Sequence, residues 1–244
     1  MGTVALRLTG ATKRYGNTAV LDGLDLEVAQ DSRLVVLGHS GSGKSTLLRV
    51  LAGLEQLDAG EVSRPGGAVV GTVFQQPLLL PWLSVRDNIA LGGRFRANRA
   101  RFESAHVDEL LDVFGLAELA AARPAQLSGG QAQRVAIARV VAVRPDVLLL
   151  DEPFSALDPA TRRGLQTWLR DMVERLGLTL VLVTHDVDEA LYLATEVTLL
   201  DGSGAAAGHW HSTAPADHRD LAAHPLQATL LAGYRSQLGV AAVS

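Results

Sequence analysis

The spacing of apolar positions changes character several times along the chain, and each change predicts a different element. Residues 4–9 and 24–28 alternate apolar and polar side chains, the period of half-buried antiparallel strands. Tyr15, Gly16 and Asn17 fall in the turn region between them. Arg33 to Leu37 is a short apolar run, the pattern of a buried strand, and it leads directly into glycine-rich residues. From Lys44 the spacing turns helical, with Leu47, Leu48, Leu51 and Leu54 recurring along one face and Gly53 near its end. Gly60 to Phe74 reads as two short strands around the turn cluster Arg64-Pro65-Gly66-Gly67.

Leu83 to Val143 is helical in character, with Ser84 placed to cap a helix through Leu91, a 3.6-residue period over Arg101 to Phe114, and a further helix over Gln131 to Val141. Strand 147–151, helix 160–176, strand 179–184, helix 187–194 and strand 196–200 then alternate, which predicts parallel βαβ units. Past Gly202 the chain is rich in Ala, His and Pro and shows little pattern before a short helix near Leu226 to Leu238. The expectation for His209, His211 and His218 is a solvated tail, because their spacing matches no strong metal pattern. No internal repeat is visible.

Composition narrows the picture. The 244 residues are 48% hydrophobic and 20% charged, ordinary for an α/β protein with a sizeable core. A net charge of −4 gives no sign of general nucleic-acid binding. With no cysteine, disulfides and thiolate metal sites are excluded. The amino terminus lacks a charged start followed by a long apolar core, so no signal peptide is expected. The apolar runs are too short to span a bilayer, so a membrane role would need a partner.

Three strings carry chemistry. Residues 38–46 read GHSGSGKST between a predicted strand and a predicted helix. That context makes the match a phosphate-binding loop. Gly38, Gly41 and Gly43 let the backbone fold so that N–H groups point at phosphate oxygens, and the helix adds its positive end. Lys44 would reach the β- and γ-phosphates, and the Ser45 hydroxyl would ligate Mg²⁺. His39, Ser40, Ser42 and Thr46 complete the loop. His39 contributes backbone there, so its side chain is expected to matter little. The second string is VLLLDE at 147–152. Asp151 ends a buried strand and would help to hold the magnesium shell. Glu152 follows it and would polarise an attacking water. A helix cap or turn before Pro153 is the plainer alternative. The third string, LSGGQ at 127–131, sets Ser128, Gly129, Gly130 and Gln131 before a helix, again a place where bare N–H groups favour an anion. One chain then carries two phosphate devices but one lysine-bearing loop, so the second device is expected to complete a site on another copy.

Over about residues 4–202 the chain resembles the nucleotide-binding subunit of an ATP-binding cassette (ABC) transporter. The resemblance implies an α/β fold: a P-loop NTPase (RecA-like) core with an antiparallel β subdomain and an α-helical signature subdomain. It divides a single ATPase domain into a core with its β subdomain (1–82 and 144–202), a helical subdomain (83–143) and a C-terminal tail (203–244). It implies further roles by position. Tyr15 matches the aromatic that stacks on adenine, although a turn aromatic would look the same. Gln75 in VFQQP matches the glutamine that touches magnesium and water, although Gln76 is adjacent and a surface role is open. Asp158, in the Ser155-Ala156-Leu157-Asp158 loop, matches a segment that crosses the dimer interface. His185 in VTHD matches the histidine that contacts the γ-phosphate, although a histidine ending an apolar strand is also an ordinary structural residue. Where Arg or Lys is frequent after the signature, Ala132 stands here.

The implied cofactors are ATP and Mg²⁺. The implied partners are transmembrane permease subunits, a second ATPase copy and a periplasmic or lipid-anchored substrate-binding protein, with no nucleic acid. The expected location is the cytoplasmic face of the membrane. The stretches LLLPWLSVRDNIALG and THDVDEALYLATEVTLL are similar to the nitrate/sulfonate/taurine group of importers. An exporter subunit remains an alternative, as does a non-transport ATPase of DNA repair or translation. Repair members carry long coiled coils between loop and signature, whereas about eighty residues without sustained heptads separate them here.

Overall fold

The computed structural model describes residues 3–212 and 218–237. In chain order its elements are β1 (Val4–Tyr15), β2 (Thr18–Ala29), β3 (Arg33–Leu37), α1 (Lys44–Ala52), β4 (Ala59–Ser63), β5 (Val70–Val73), α2 (Val85–Ala90), α3 (Ser104–Val113), α4 (Gly129–Val141), β6 (Val147–Asp151), α5 (Pro159–Leu176), β7 (Thr179–Thr184), α6 (Val187–Leu193), β8 (Glu196–Leu200), β9 (Ala206–His211) and α7 (Gln227–Gln237). They gather into two compact units: residues up to Ala68 together with those from Leu178 onward, and Val69–Gly177.

The first unit holds an antiparallel sheet in the order β2-β1-β4, with Leu8 paired to Leu26 on one side and Val62 on the other. Both long strands extend well past the alternating segments at 4–9 and 24–28. The pairing shifts register between Leu8 and Ala11, and again before Lys13 and Arg14. Inward positions are then no longer two residues apart, so the period of two is lost although the strand continues. Gly10, at φ 58°, supplies a left-handed residue in the irregular stretch.

The same unit holds β7, β3 and β8 in parallel, with β9 antiparallel against β8. Every residue of β3 and β7 is buried, which is why both read as continuous apolar runs instead of alternating ones. The strand β9 corrects the expectation of a patternless tail. Its sequence AAGHWH has no apolar period, and its extended form comes from pairing with β8. His209 and His211 therefore stand on a sheet edge, while His218 stacks on Tyr192 with ring centroids 3.6 Å apart. The expected C-terminal helix is present as α7, anchored by a fully buried Leu230; Leu238 lies outside the described residues.

In the second unit β5 and β6 pair in parallel, Val73 with Leu150. The Ser84 hydroxyl caps α2 by accepting from the Asp87 N–H. The next helix starts at Ser104 and not at Arg101, because Arg101 is committed elsewhere: its guanidinium donates to the Arg144 carbonyl and pairs with Asp146. Val107, Leu110 and Leu111 then form the buried stripe of α3. Among the described residues no helix is long and apolar enough to cross a membrane.

Candidate functional site

In the first unit β3 runs out of the sheet at Leu37, and the Gly38 N–H donates to the Thr184 carbonyl at 3.3 Å. Leu37 and Thr184 are parallel partners, so the glycine loop and His185 emerge from the same edge, at the carboxyl ends of neighbouring strands. That edge is where open α/β sheets place ligands. Gly41 and Gly43 have φ of 85° and 90°. A Cβ at Gly43 would lie 2.3 Å from the Val20 carbonyl oxygen, so this position needs glycine on two counts. Gly43 also caps α1 without any side-chain bond, which leaves the first turn of the helix to an outside acceptor.

Lys44 is 4% exposed, yet its ammonium is satisfied: Nζ donates to the carbonyls of Gly38 at 2.8 Å and His39 at 2.7 Å. The loop holds its own cation close to its backbone concavity. Among the described residues the buried Ser42 hydroxyl has no hydrogen-bond partner, and it is a polar atom suited to a phosphate oxygen. Left-handed glycines, an uncapped helix start, a buried ammonium and an orphaned hydroxyl together fit a nucleotide triphosphate.

The His39 side chain makes a tertiary contact outside the loop. Its Nε2 lies 2.7 Å from the Tyr234 carbonyl and the two rings are 3.7 Å apart, so His39 ties α7 to the loop. Tyr15 ends β1 and is 46% exposed, and Lys13 Nζ lies 5.6 Å from its ring centroid. Lys13 is held by Glu55 at 3.1 Å and Asp58 at 3.7 Å. Its pKa is raised, chiefly by the Glu55 hydrogen bond. His185 is exposed, and the next residue, Asp186, caps α6 by accepting from the N–H groups of Asp188 and Glu189.

In the second unit Asp151 and Glu152 leave β6, and Gln75 follows the end of β5 two residues on. Glu152 has φ 42°, a left-handed backbone on a residue with a Cβ. Ser155 joins the acid to the glutamine. Its hydroxyl donates to the Glu152 carbonyl at 3.0 Å, and Gln75 Nε2 donates to that hydroxyl at 3.0 Å. These contacts place Gln75 beside Glu152, and the role of Ser155 in that link is one that sequence reasoning missed.

Ser128 and Gln131 form a reciprocal cap on α4. The serine hydroxyl accepts from the Gln131 N–H at 3.3 Å, and the Ser128 N–H donates to Gln131 Oε1 at 2.8 Å. A Cβ on Gly129 would meet Leu157 at 3.0 Å and one on Gly130 would meet Thr161 at 2.9 Å. The two glycines thus let the signature pack against the 155–158 loop and the start of α5. Asp158 caps α5 by accepting from Ala160 and Thr161, and hydrogen bonding to Thr161 holds its carboxyl below the ordinary range. The signature belongs to the second unit and Lys44 to the first.

The segment 77–84 is fixed from below by two side chains that nothing in the sequence singled out. Arg139 donates to the carbonyls of Pro77 and Leu78, and burial lowers its pKa. Asn88, fully buried, bonds both the N–H and the carbonyl of Leu80. Above them Leu78 and Trp82 are 58% and 67% exposed.

A strand–glycine loop–helix with a buried lysine, and an acidic pair at the end of a second strand, define a P-loop ATPase. The profile of the family described as ABC transporter matches residues 21–155. The aliphatic sulfonates import ATP-binding protein SsuB of Ralstonia nicotianae is 49% identical over 203 residues, 81% of this chain and 69% of that protein. SsuB 1 of Xanthomonas axonopodis pv. citri is 45% identical over 231 residues, 92% of each chain. The taurine import ATP-binding protein TauB of Pseudomonas aeruginosa is 48% identical over 199 residues, 79% of this chain and 76% of that one. Among solved structures, cbiO1 of Clostridium perfringens, part of the ABC transporter complex cbiONQ, superposes with a TM-score of 0.76 at 26% identity, covering 86% of this chain and 89% of that one. The chain belongs to the ABC transporter family, as an ATP-binding subunit with ATPase activity.

Proposed function

We propose that this chain powers a prokaryotic importer of a small anion such as an aliphatic sulfonate, taurine or nitrate, working at the cytoplasmic face of the membrane. Similarity along 92% of the chain to an aliphatic sulfonates import ATP-binding protein carries the cargo class. Two copies would sandwich ATP, each molecule lying between the Lys44 loop of one copy and the Ser128–Gln131 segment of the other. The exposed Ser128 cap supports that assignment, because its serine and helix start face outward. Permease subunits would rest on the braced segment bearing Leu78 and Trp82, and a substrate-binding protein would deliver the cargo to them.

Within the site, backbone N–H groups of residues 38–46 and the Lys44 ammonium bind and neutralise the β- and γ-phosphates. Tyr15 offers an exposed ring to adenine. Ser45, Gln75 and Asp151 are oxygen donors of the kind Mg²⁺ prefers, and the ion, when bound, would neutralise charge on the phosphates. Glu152 takes the proton of the attacking water as its oxygen bonds to the γ-phosphorus and the bond to ADP breaks. His185 would contact the γ-phosphate from the neighbouring strand end. Gln75, linked to Glu152 through Ser155, would carry nucleotide state toward residues 77–84.

The cargo test is growth and uptake in the organism of origin after deletion of the gene. The expected result is loss of growth on an aliphatic sulfonate or taurine as sole sulfur source, or on nitrate as sole nitrogen source. Unimpaired growth and uptake on all three would remove the proposed cargo class.

A further inference from the structure

The β8–β9 pair carries a side-chain cluster that ATP chemistry does not use. On β9, His209 and His211 are two residues apart and so project from one face. On β8, Glu196 is the register partner of His211, and Thr198 is the partner of His209. The imidazoles and the carboxylate thereby converge, with one ligand atom from each of Glu196, His209 and His211 within 4.8 Å of the others. We propose that Glu196, His209 and His211 form a binding site for a divalent transition-metal ion of the zinc class, separate from the nucleotide site.

Four observations support it. His209 Nε2 and Glu196 Oε2 are 3.5 Å apart, close to the roughly 3.4 Å between ligand atoms on a tetrahedral zinc with bonds near 2.0–2.1 Å. Only His211, whose side chain is exposed, needs to close in, by up to about 1.4 Å on the same geometry. The other nitrogen of His209 is 2.9 Å from the Thr198 hydroxyl. That bond fixes the ring and, with Nδ1 as donor, leaves the Nε2 lone pair for a metal, the usual support for a ligating histidine.

The third support is space and the fourth is charge. The cluster lines a pocket of about 640 Å³ bounded by β1, β2, β8 and β9. Its walls carry the carboxylates of Asp25, Glu27 and Glu196 against one guanidinium, Arg7, which is paired with Glu27 at 2.9 Å. The balance favours a cation. Two imidazoles with one carboxylate select zinc, nickel or copper over magnesium, which prefers an all-oxygen shell. Three protein ligands leave a position for water, and an ion there would clamp β9 to β8.

The test is calorimetric titration of the purified chain with Zn²⁺ in excess Mg²⁺, followed by metal analysis after desalting and by thermal melting. The expected result is one Zn²⁺ per chain, a melting temperature raised by the ion, and at least a tenfold loss of affinity in each of His209→Ala, His211→Ala and Glu196→Gln. His211→Gln, a polar replacement at an exposed position, should lose the ion while keeping the melting temperature of the metal-free protein and its ATP hydrolysis. Substoichiometric binding, displacement by Mg²⁺, or affinity unchanged in the two alanine variants would overturn the site.

Discussion

The left-handed backbone at Glu152 lets strain and chemistry be separated by substitution. At φ 42° a residue with a Cβ is held where only glycine is comfortable. The cost is about 1–2 kcal/mol relative to glycine. A glycine returns about 0.4–1 kcal/mol of that through the entropy of the unfolded chain. Glu152→Ala removes the carboxylate but keeps the Cβ, and Glu152→Gly removes both. The glycine variant should therefore be more stable than the alanine variant by about 1 kcal/mol, or roughly 2–4 °C in Tm for a chain of this length. Glu152→Gln should melt close to the parent protein, since it preserves side-chain shape and backbone strain together.

All three variants should bind ATP, and all should lose turnover. Removal of a general base costs about 10²–10⁴ in rate. The assay is thermal melting without nucleotide, set beside steady-state phosphate release. A glycine variant that melts at or below the alanine variant would show that the turn at Glu152 stores no strain. Near-normal hydrolysis by Glu152→Gln would remove the residue from the base role. The combination of higher stability and lost activity is the signature of a residue held in an unfavourable conformation for function.

Three further outcomes follow from the geometry. Ser128→Arg should spare ATP binding by an isolated copy and abolish hydrolysis, because bulk and charge would occupy a segment that must meet the partner's nucleotide; turnover that is insensitive to the change and linear in protein concentration would refute the shared site. Trp82→Ala should leave the melting temperature within about 2 °C, since an exposed side chain contributes under about 0.5 kcal/mol, while weakening co-purification with the permease; a large drop in melting temperature with assembly intact would make Trp82 structural. His39→Ala should speed amide hydrogen exchange across residues 227–237 while leaving nucleotide affinity within a few-fold, because it removes the bond to the Tyr234 carbonyl; unchanged exchange would mean that Leu230 and its neighbours hold α7 alone.

The elements that were legible in the sequence are those whose burial is local and regular. The parallel strands β3, β6 and β7 are buried through nearly their whole length and announce themselves as apolar runs. The helix α2 announces itself through Ser84, whose hydroxyl accepts from the Asp87 N–H. The glycine loop was legible because its conformation admits few other residues, as the 2.3 Å approach to Val20 at Gly43 shows. What stayed hidden depends on partners distant in sequence. No period in AAGHWH marks β9, and only the pairing with β8 makes it a strand.

The candidate site divides along the same line. Lys44, Asp151 and Glu152 were named from strings that carry their own context. The link that joins Gln75 to Glu152 runs through Ser155, eighty positions from Gln75, and the loop match that includes this serine says nothing of that contact. The same holds for Arg139, whose guanidinium reaches back to Pro77 and Leu78 across sixty-two and sixty-one positions and braces the exposed segment. A motif specifies which atoms can meet phosphate. The residues that would pass nucleotide state to a partner are fixed by tertiary contacts, and Glu152 is where the two meet: its position in the motif names its chemistry, while its left-handed backbone and its bond from Ser155 appear only in the folded chain.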